Sequence, residues 1–490
     1  MKKALISVFL LLVFTGFAHS ELNIELLGIL EGENDGGRFG HSVANLGDIN
    51  GDGYEDFAVG APYYPEWTDT GRVYIYLGSE NFDLNPDLVV ENPGEVKWFG
   101  WSACGLRDVN HDGYDEFLVG AWGHGVFLYF GGDPPDHVPD RIYQEPAYGY
   151  GSGLASGDVN NDGFSDFAAR GDGRIYVYLG SEVIDTLADF ELIGRQVGMD
   201  GIAIGDINGD DYDDIVASAT KEPNDYETLL YFGRDSLHSE PDLSFNTIFV
   251  RGGVGDVNGD GYADIIAWYR LYFGGEEVDT TNYLILPKAK TSGTVGMINK
   301  DRYGDIIARN SSPSGFWSQV HIYLGGSEPD SIDDWSSFRT SDNLGYSIAA
   351  VDLNSDGVDE FLLGDPYYLD DSRRGATYVY SGDTTALGVD GIDWTLPDGI
   401  VLKQNYPNPF NTRTVIEFSV PGLYVSSSLK IYNSCGRLVK TLLEMPLISG
   451  RYHYVWDGTN DQDERVSSGV YFMILKTEDV QEARKALLIK

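Results

Sequence analysis

A nine-residue segment with oxygen-bearing side chains at its first, third, fifth and ninth positions recurs seven times along this chain, about every 50 residues. The first copy supplies Asp48, Asn50, Asp52 and Asp56, the second Asp108, Asn110, Asp112 and Glu116, and the third Asp158, Asn160, Asp162 and Asp166. The fourth supplies Asp206, Asn208, Asp210 and Asp214, the fifth Asp256, Asn258, Asp260 and Asp264, and the seventh Asp352, Asn354, Asp356 and Glu360. Residues 297–305 form a damaged sixth copy, in which Met297 replaces the leading carboxylate while Lys300 and Arg302 enter at the fourth and sixth positions. Repetition at this length points to a propeller or a solenoid.

A second element keeps step with the first. Each copy runs into an apolar segment, such as residues 57–60, 117–120 or 361–364. Farther on comes an aromatic segment closed by glycine: 73–78, 126–131, 175–180, 229–233, 271–274, 321–325 and 377–382. A unit of about 50 residues holds four strands of about five or six residues with their turns, which is the content of one propeller blade. Seven blades closed into a ring leave no long exposed sheet edge, whereas a linear solenoid would need capping units. The 61 glycines and 13% aromatic residues suit many short strands joined by tight turns. The expected class is therefore all-β: a seven-bladed β-propeller over residues 21–385, followed by a smaller module.

These residues resemble the FG-GAP repeats of integrin α-subunit propellers and their bacterial relatives. The name-giving dipeptide stands at Phe39-Gly40 and Phe99-Gly100, with Tyr150-Gly151 and Leu344-Gly345 as variants. The closing tripeptide stands at Gly60-Ala61-Pro62 and is altered to Gly120-Ala121-Trp122 and Gly364-Asp365-Pro366. Repeats four to six lack clear versions of either. In that family the acidic loops join two strands of a blade and bind calcium, and ligands are met on the opposite side of the disc. The resemblance therefore implies a binding or adhesion protein, with residues 63–70 and 367–374 as candidate contacts and Trp67 and Trp122 as candidate sugar-stacking aromatics.

Calcium is a hard cation that takes six to eight oxygen ligands. Alternate residues of a tight loop point to one side, so positions one, three and five converge, and a main-chain carbonyl at position seven with a carboxylate at position nine would complete the shell. Glycine at position six permits the positive φ that the reversal needs; in the fourth loop Asp211 takes that place at some cost in strain. Turn chemistry alone explains an Asp-Gly pair but not four oxygen side chains in fixed register. Six loops are expected to hold Ca2+. The loop at 297–305 is expected to be empty, with Lys300 or Arg302 neutralising Asp301 or Asp305.

Between residues 386 and 400 the repeat stops and small, polar and proline residues form a linker. Residues 401–490 then alternate in short strands, as in an immunoglobulin-like sandwich. They resemble the C-terminal sorting domain of the bacterial type IX secretion system, which is related to the Ig-like domain of the flagellar hook-capping protein. Tyr406-Pro407-Asn408-Pro409-Phe410-Asn411, Trp456-Asp457-Gly458 and the terminal residues 485–490 carry that likeness. It implies a partner in the secretion machinery. At the other end, Lys2 and Lys3 precede an apolar run over 4–17 and Ala18-His19-Ser20, the pattern of a signal peptide over residues 1–20. That run is too short for a comfortable membrane span, and no later segment is apolar enough to cross a bilayer. A secreted or surface-attached bacterial protein follows.

The balance of 33 Lys and Arg against 77 Asp and Glu leaves a formal charge of -44. A surface so negative repels phosphate backbones and anionic lipids, so nucleic acid is excluded as a partner. A protein or carbohydrate ligand at the cell exterior is compatible with it. Cys104 and Cys435 are too few for a disulfide framework and are read as free thiols. No histidine pair has zinc-protease spacing, and no nucleophile elbow or phosphate loop is present. The chain is therefore read as a non-enzyme; the alternative is a secreted hydrolase or lyase whose active site lies on the propeller face.

Overall fold

A computed structural model describes residues 22–382 and 401–489, less short stretches within them, the longest being 194–200, 312–317, 338–342 and 368–373. The leader, the linker, Trp67 and Cys435 lie outside the described residues. No helix occurs among those described, and none is long and apolar enough to cross a membrane. Strands form seven four-stranded antiparallel sheets over residues 26–380 and two further sheets beyond residue 400.

The first strands of the seven sheets, Ser42–Gly47, Phe99–Leu106, Leu154–Gly157, Ile202–Gly205, Val250–Gly255, Gly293–Gly296 and Ile348–Val351, each lie against the next. The last of them lies against Ser42–Gly47, so the sheets close into a seven-bladed ring with these strands innermost. Small residues make that crowding tolerable. The seventh blade is composite: its strands Ile348–Val351, Glu360–Asp365 and Ala376–Tyr380 are completed by Leu26–Glu31 from the other end of the propeller, antiparallel to Ala376–Tyr380. The repeat rhythm placed four strands in each 50-residue unit; the shift in phase, which fastens the ring, was not read from it.

The sequence explains the blade core directly. The residue after each acidic loop pairs in register with the last tyrosine of the aromatic strand, as in Phe57↔Tyr76, Phe117↔Tyr129, Phe167↔Tyr178 and Phe361↔Tyr380. In these four blades the two rings stack 4.6–5.1 Å apart and nearly parallel. Isoleucine replaces the phenylalanine in the other three, at Ile215↔Tyr231, Ile265↔Tyr272 and Ile306↔Tyr323. All fourteen side chains are buried. Each contributes about 1.5–3 kcal/mol on burial, so the aromatic repeat adds substantially to the cohesion between the second and third strands of each blade.

Residues beyond the linker form a separate sandwich. One sheet holds Val401–Leu402, Thr414–Val420 and Gly450–Trp456; the other holds Leu438–Leu447, Val425–Asn433, Gly469–Lys476 and Gln481–Leu488. Their shared core centres on Trp456, whose ring meets Phe410 and Tyr471 and whose Nε1–H donates to the Thr459 carbonyl at 2.9 Å. That core draws only on residues 402–488.

Candidate metal centres

Each acidic loop joins the first and second strands of a blade, so all seven lie on one face of the disc. The first shows how the loop folds. Asp48 Oδ1 accepts the N–H groups of Gly51 and Asp52 at 2.7 and 3.0 Å, and Oδ2 accepts that of Gly53 at 2.8 Å. Two positions of the loop take left-handed backbone conformations. Position six is left-handed in six loops, including Asp211 at φ 69°. Position four is left-handed in all seven, and there His111, Asn161, Lys300 and Ser355 adopt the conformation without glycine's freedom. Without a leading carboxylate at Met297, the sixth loop lacks these bonds, and Arg302 keeps an ordinary negative φ.

Position nine is the buried anchor. Asp56 is fully buried, its Oδ2 accepting the Ile49 N–H at 3.0 Å and its Oδ1 the Gly78 N–H at 2.8 Å. The bond from position two recurs in every loop, to Glu116, Asp166, Asp214, Asp264, Asp305 and Glu360. The glycine that closes each aromatic strand is thereby explained. A Cβ on Gly78 would lie 2.2 Å from the Glu55 carbonyl oxygen, so only glycine lets the strand end approach the anchor.

Burial pushes the Asp56 carboxyl up to about 8; the Gly78 and Ile49 N–H groups oppose that rise and the charges of Asp52 and Asp48 add to it. Burial likewise raises Glu116, Asp166 and Glu360 to about 8, and Asp214 and Asp264 to about 7. A cation close by would favour the charged form of a buried carboxylate that faces two other acids. An all-oxygen donor set of carboxylates and one amide suits a hard divalent ion, so these residues fit calcium.

The loops fall into two kinds. With Asp at position nine, the amide of Asn50, Asn160, Asn208 or Asn258 donates to the carboxylate at position five. With Glu, the amide of Asn110 or Asn354 donates to position nine instead, at 3.2 Å. Among the described residues, the loop in which three carboxylates converge within 4.8 Å is the second, through Asp108, Asp112 and Glu116. In the shorter copies both oxygens of position nine are engaged by main-chain N–H groups, as at Asp56.

The sixth loop corrects one expectation. Asp305 is fully buried and raised to about 7, chiefly by burial, yet neither cation is given to it or to Asp301. Lys300 donates to the Asp356 carbonyl of the seventh loop, and Arg302 lies 4.9 Å over the Tyr303 ring and donates to its hydroxyl at 2.9 Å. The reason is directional: position four points out of its own loop toward the next one. Gly51 meets Tyr114, His111 meets Phe164 and the Ser355 hydroxyl meets the Gly53 carbonyl in the same way. Acids at position eight were also missed in the sequence. Glu55, Asp115, Asp213 and Asp359 all bond to the neighbouring loop, and their recurrence at one repeat position was the available signal.

On the opposite face, Trp122 is half-buried among Trp98, Trp101 and Tyr148, and Trp101 packs on His41, which also meets Tyr346. Tyr63 and Tyr367, from the two candidate contact segments, flank the Arg38 guanidinium. The described parts of both segments therefore adjoin one aromatic surface.

Residues 39–76, 99–131 and 344–380 match the FG-GAP repeat, and residues 411–479 match the FlgD Ig-like domain. Integrin alpha-PS3 of Drosophila melanogaster is 33% identical over 186 residues, which is 34% of this chain and 17% of that protein. Integrin alpha-IIb of Mus musculus is 42% identical over 97 residues, 19% of this chain and 9% of that one. The chain thus spans less than a fifth of the length of these relatives. A solved structure of PorZ, a bacterial surface component of the type-IX secretion system of Porphyromonas gingivalis, covers 94% of this chain at TM-score 0.39 and 14% identity, with 60% of that chain matched.

Proposed function

We propose that this chain is an exported, calcium-stabilised propeller that binds a protein or glycan ligand outside the cell, with residues 401–490 acting as its sorting module. The observation that carries the reading is the pairing, in six loops, of a leading Asp with a buried acid at position nine. That acid stands where a strand end and a loop start converge, and burial together with the neighbouring carboxylates raises its pKa, which a bound cation would offset. Calcium would be held by positions one, three, five and nine of six loops, supplying positive charge where burial has removed water. The chain's own residues do the rest: the leading Asp folds the loop, and the ninth residue ties it to the aromatic strand.

The aromatic surface around Trp101 and Trp122 supports the ligand side of the proposal. Half-exposed indole and phenol rings suit flat or apolar ligand faces, and the protein's net charge disfavours anionic ones. Isothermal titration should count about six ions per chain, with the 297–305 loop taking none. Chelation with EGTA should lower Tm by roughly 10 °C or more. An unchanged melting curve would remove the metal from the account.

A further inference from the structure

The acidic loops touch one another around the ring, and one repeat position decides whether a carboxylate ties them. The Asp115 N–H donates to the Asp48 carbonyl at 3.0 Å. Its Oδ2 accepts the Asp48 N–H at 2.9 Å, and its Oδ1 accepts the Asp108 N–H at 3.0 Å. A single carboxylate thus holds the leading residues of two consecutive loops. Beside it, the Tyr114 ring covers Gly51, where an added Cβ would sit 2.8 Å from the ring.

Three other joints carry the same side-chain tie. The Asp158 N–H donates to Asp213 at 2.8 Å, the Met297 N–H to Asp359 at 2.8 Å, and the Asp352 N–H to Glu55 at 2.9 Å. At the remaining joints position eight is Ser165, Ala263 or Gly304, and no carboxylate stands there. Ala263 and Gly304 keep the main-chain bond to the preceding loop, at 2.8 and 2.7 Å.

We infer that the acidic loops take up cations in coupled groups set by the carboxylate at position eight: the seventh, first and second together, the third and fourth together, and the fifth alone. This rests on the calcium reading above. The physical link is short. The leading Asp accepts three of its loop's N–H groups in the first, fourth and fifth loops and two in the second, third and seventh, so fixing its main chain fixes the direction of its carboxylate and the turn built on it. An ion that orders the second loop orders Tyr114 and Asp115, and through them Asp48. Coupling of binding free energies is reciprocal, so an ion in the first loop favours the second equally. Asp115, Asp213 and Glu55 are positioning residues in this scheme. The sixth loop is joined to the seventh by Asp359 and by Lys300, whose ammonium sits on the Asp356 carbonyl as a built-in cation.

Hydrogen–deuterium exchange of the full chain at graded free calcium gives each loop its own midpoint, read from peptides covering 48–56, 108–116, 158–166, 206–214, 256–264 and 352–360, the last of which should move with the first and second. Asp115→Asn should weaken the first and second loops together by about tenfold and leave the third in place, although the third also adjoins the second. Asp213→Asn should do the same to the third and fourth loops and spare the first and second. No shift, a shift confined to the substituted loop, or one spread evenly over all loops overturns the coupling. Absence of calcium-dependent protection in the unsubstituted chain overturns the calcium reading instead. The two variants lie in different blades, so failure of either to fold leaves the other to decide.

Discussion

At the scale of single residues, His41 shows how burial turns a side chain into a pH-dependent contributor. It follows the Phe39-Gly40 dipeptide, and its ring packs 4.4 Å from Trp101 and 5.1 Å from Tyr346. Its Nδ1–H donates to the Trp101 carbonyl at 3.2 Å. Burial lowers its pKa from 6.5 to about 4; the bond to Trp101 opposes that and the Arg38 charge adds to it. The folded protein therefore binds fewer protons than the unfolded chain between those values. The stabilisation is complete above pH 6.5 and is lost as pH falls toward 4, by up to about 3 kcal/mol. His41→Phe keeps an aromatic ring in the stack and cannot protonate. Denaturant titrations from pH 7 to pH 4 should show a smaller loss of stability for the variant by that amount; parallel profiles would refute the assignment.

At the scale of strands and loops, much of this molecule was legible because the same physical problem is solved seven times. An acidic loop followed by an apolar strand and an aromatic strand ending in glycine left little choice of architecture. The anchoring role of position nine was less visible, because sequence shows an oxygen but not the strand end that buries it. Position four was missed for a plainer reason: His111, Asn161, Lys300 and Ser355 have no common chemistry, only a common backbone conformation. The strand Leu26–Glu31 was missed because it carries neither motif and finds its partner at the far end of the propeller, with Leu30 opposite Thr377 and Glu31 opposite Ala376. Removing it uncovers the edge of Ala376–Tyr380, where Tyr378 and Tyr380 are buried in the intact ring. Deletion of residues 22–31 should cost about 3–5 kcal/mol, lower Tm by about 10 °C and promote association through the open edge. Melting and light-scattering measurements check this; a monomer with unchanged Tm would show that the ring does not depend on its composite blade.

At the scale of the whole molecule, the relevant fact is that the two bodies have separate cores. Trp456, Phe410, Met473 and their neighbours form a cluster without a propeller residue, and the blade cores contain none from beyond residue 400. The cores are separate although Leu26–Glu31 lies against Gly450–Trp456, so any coupling of stability between the bodies runs through that contact and the intervening chain. A module that adds nothing to the propeller's core has to be accounted for by what it contacts, and the proposed sorting role does so. A chain truncated after residue 400 should keep the calcium stoichiometry and the melting temperature of the propeller to within about 2 °C, yet remain in the periplasm when expressed in a host with the type IX system. Fractionation and immunoblotting of medium, surface and periplasm read the second outcome, and titration calorimetry reads the first. Secretion of the truncated chain would remove the sorting proposal and leave the propeller reading intact. Loss of calcium binding on truncation would show instead that the separation of cores does not make the bodies independent.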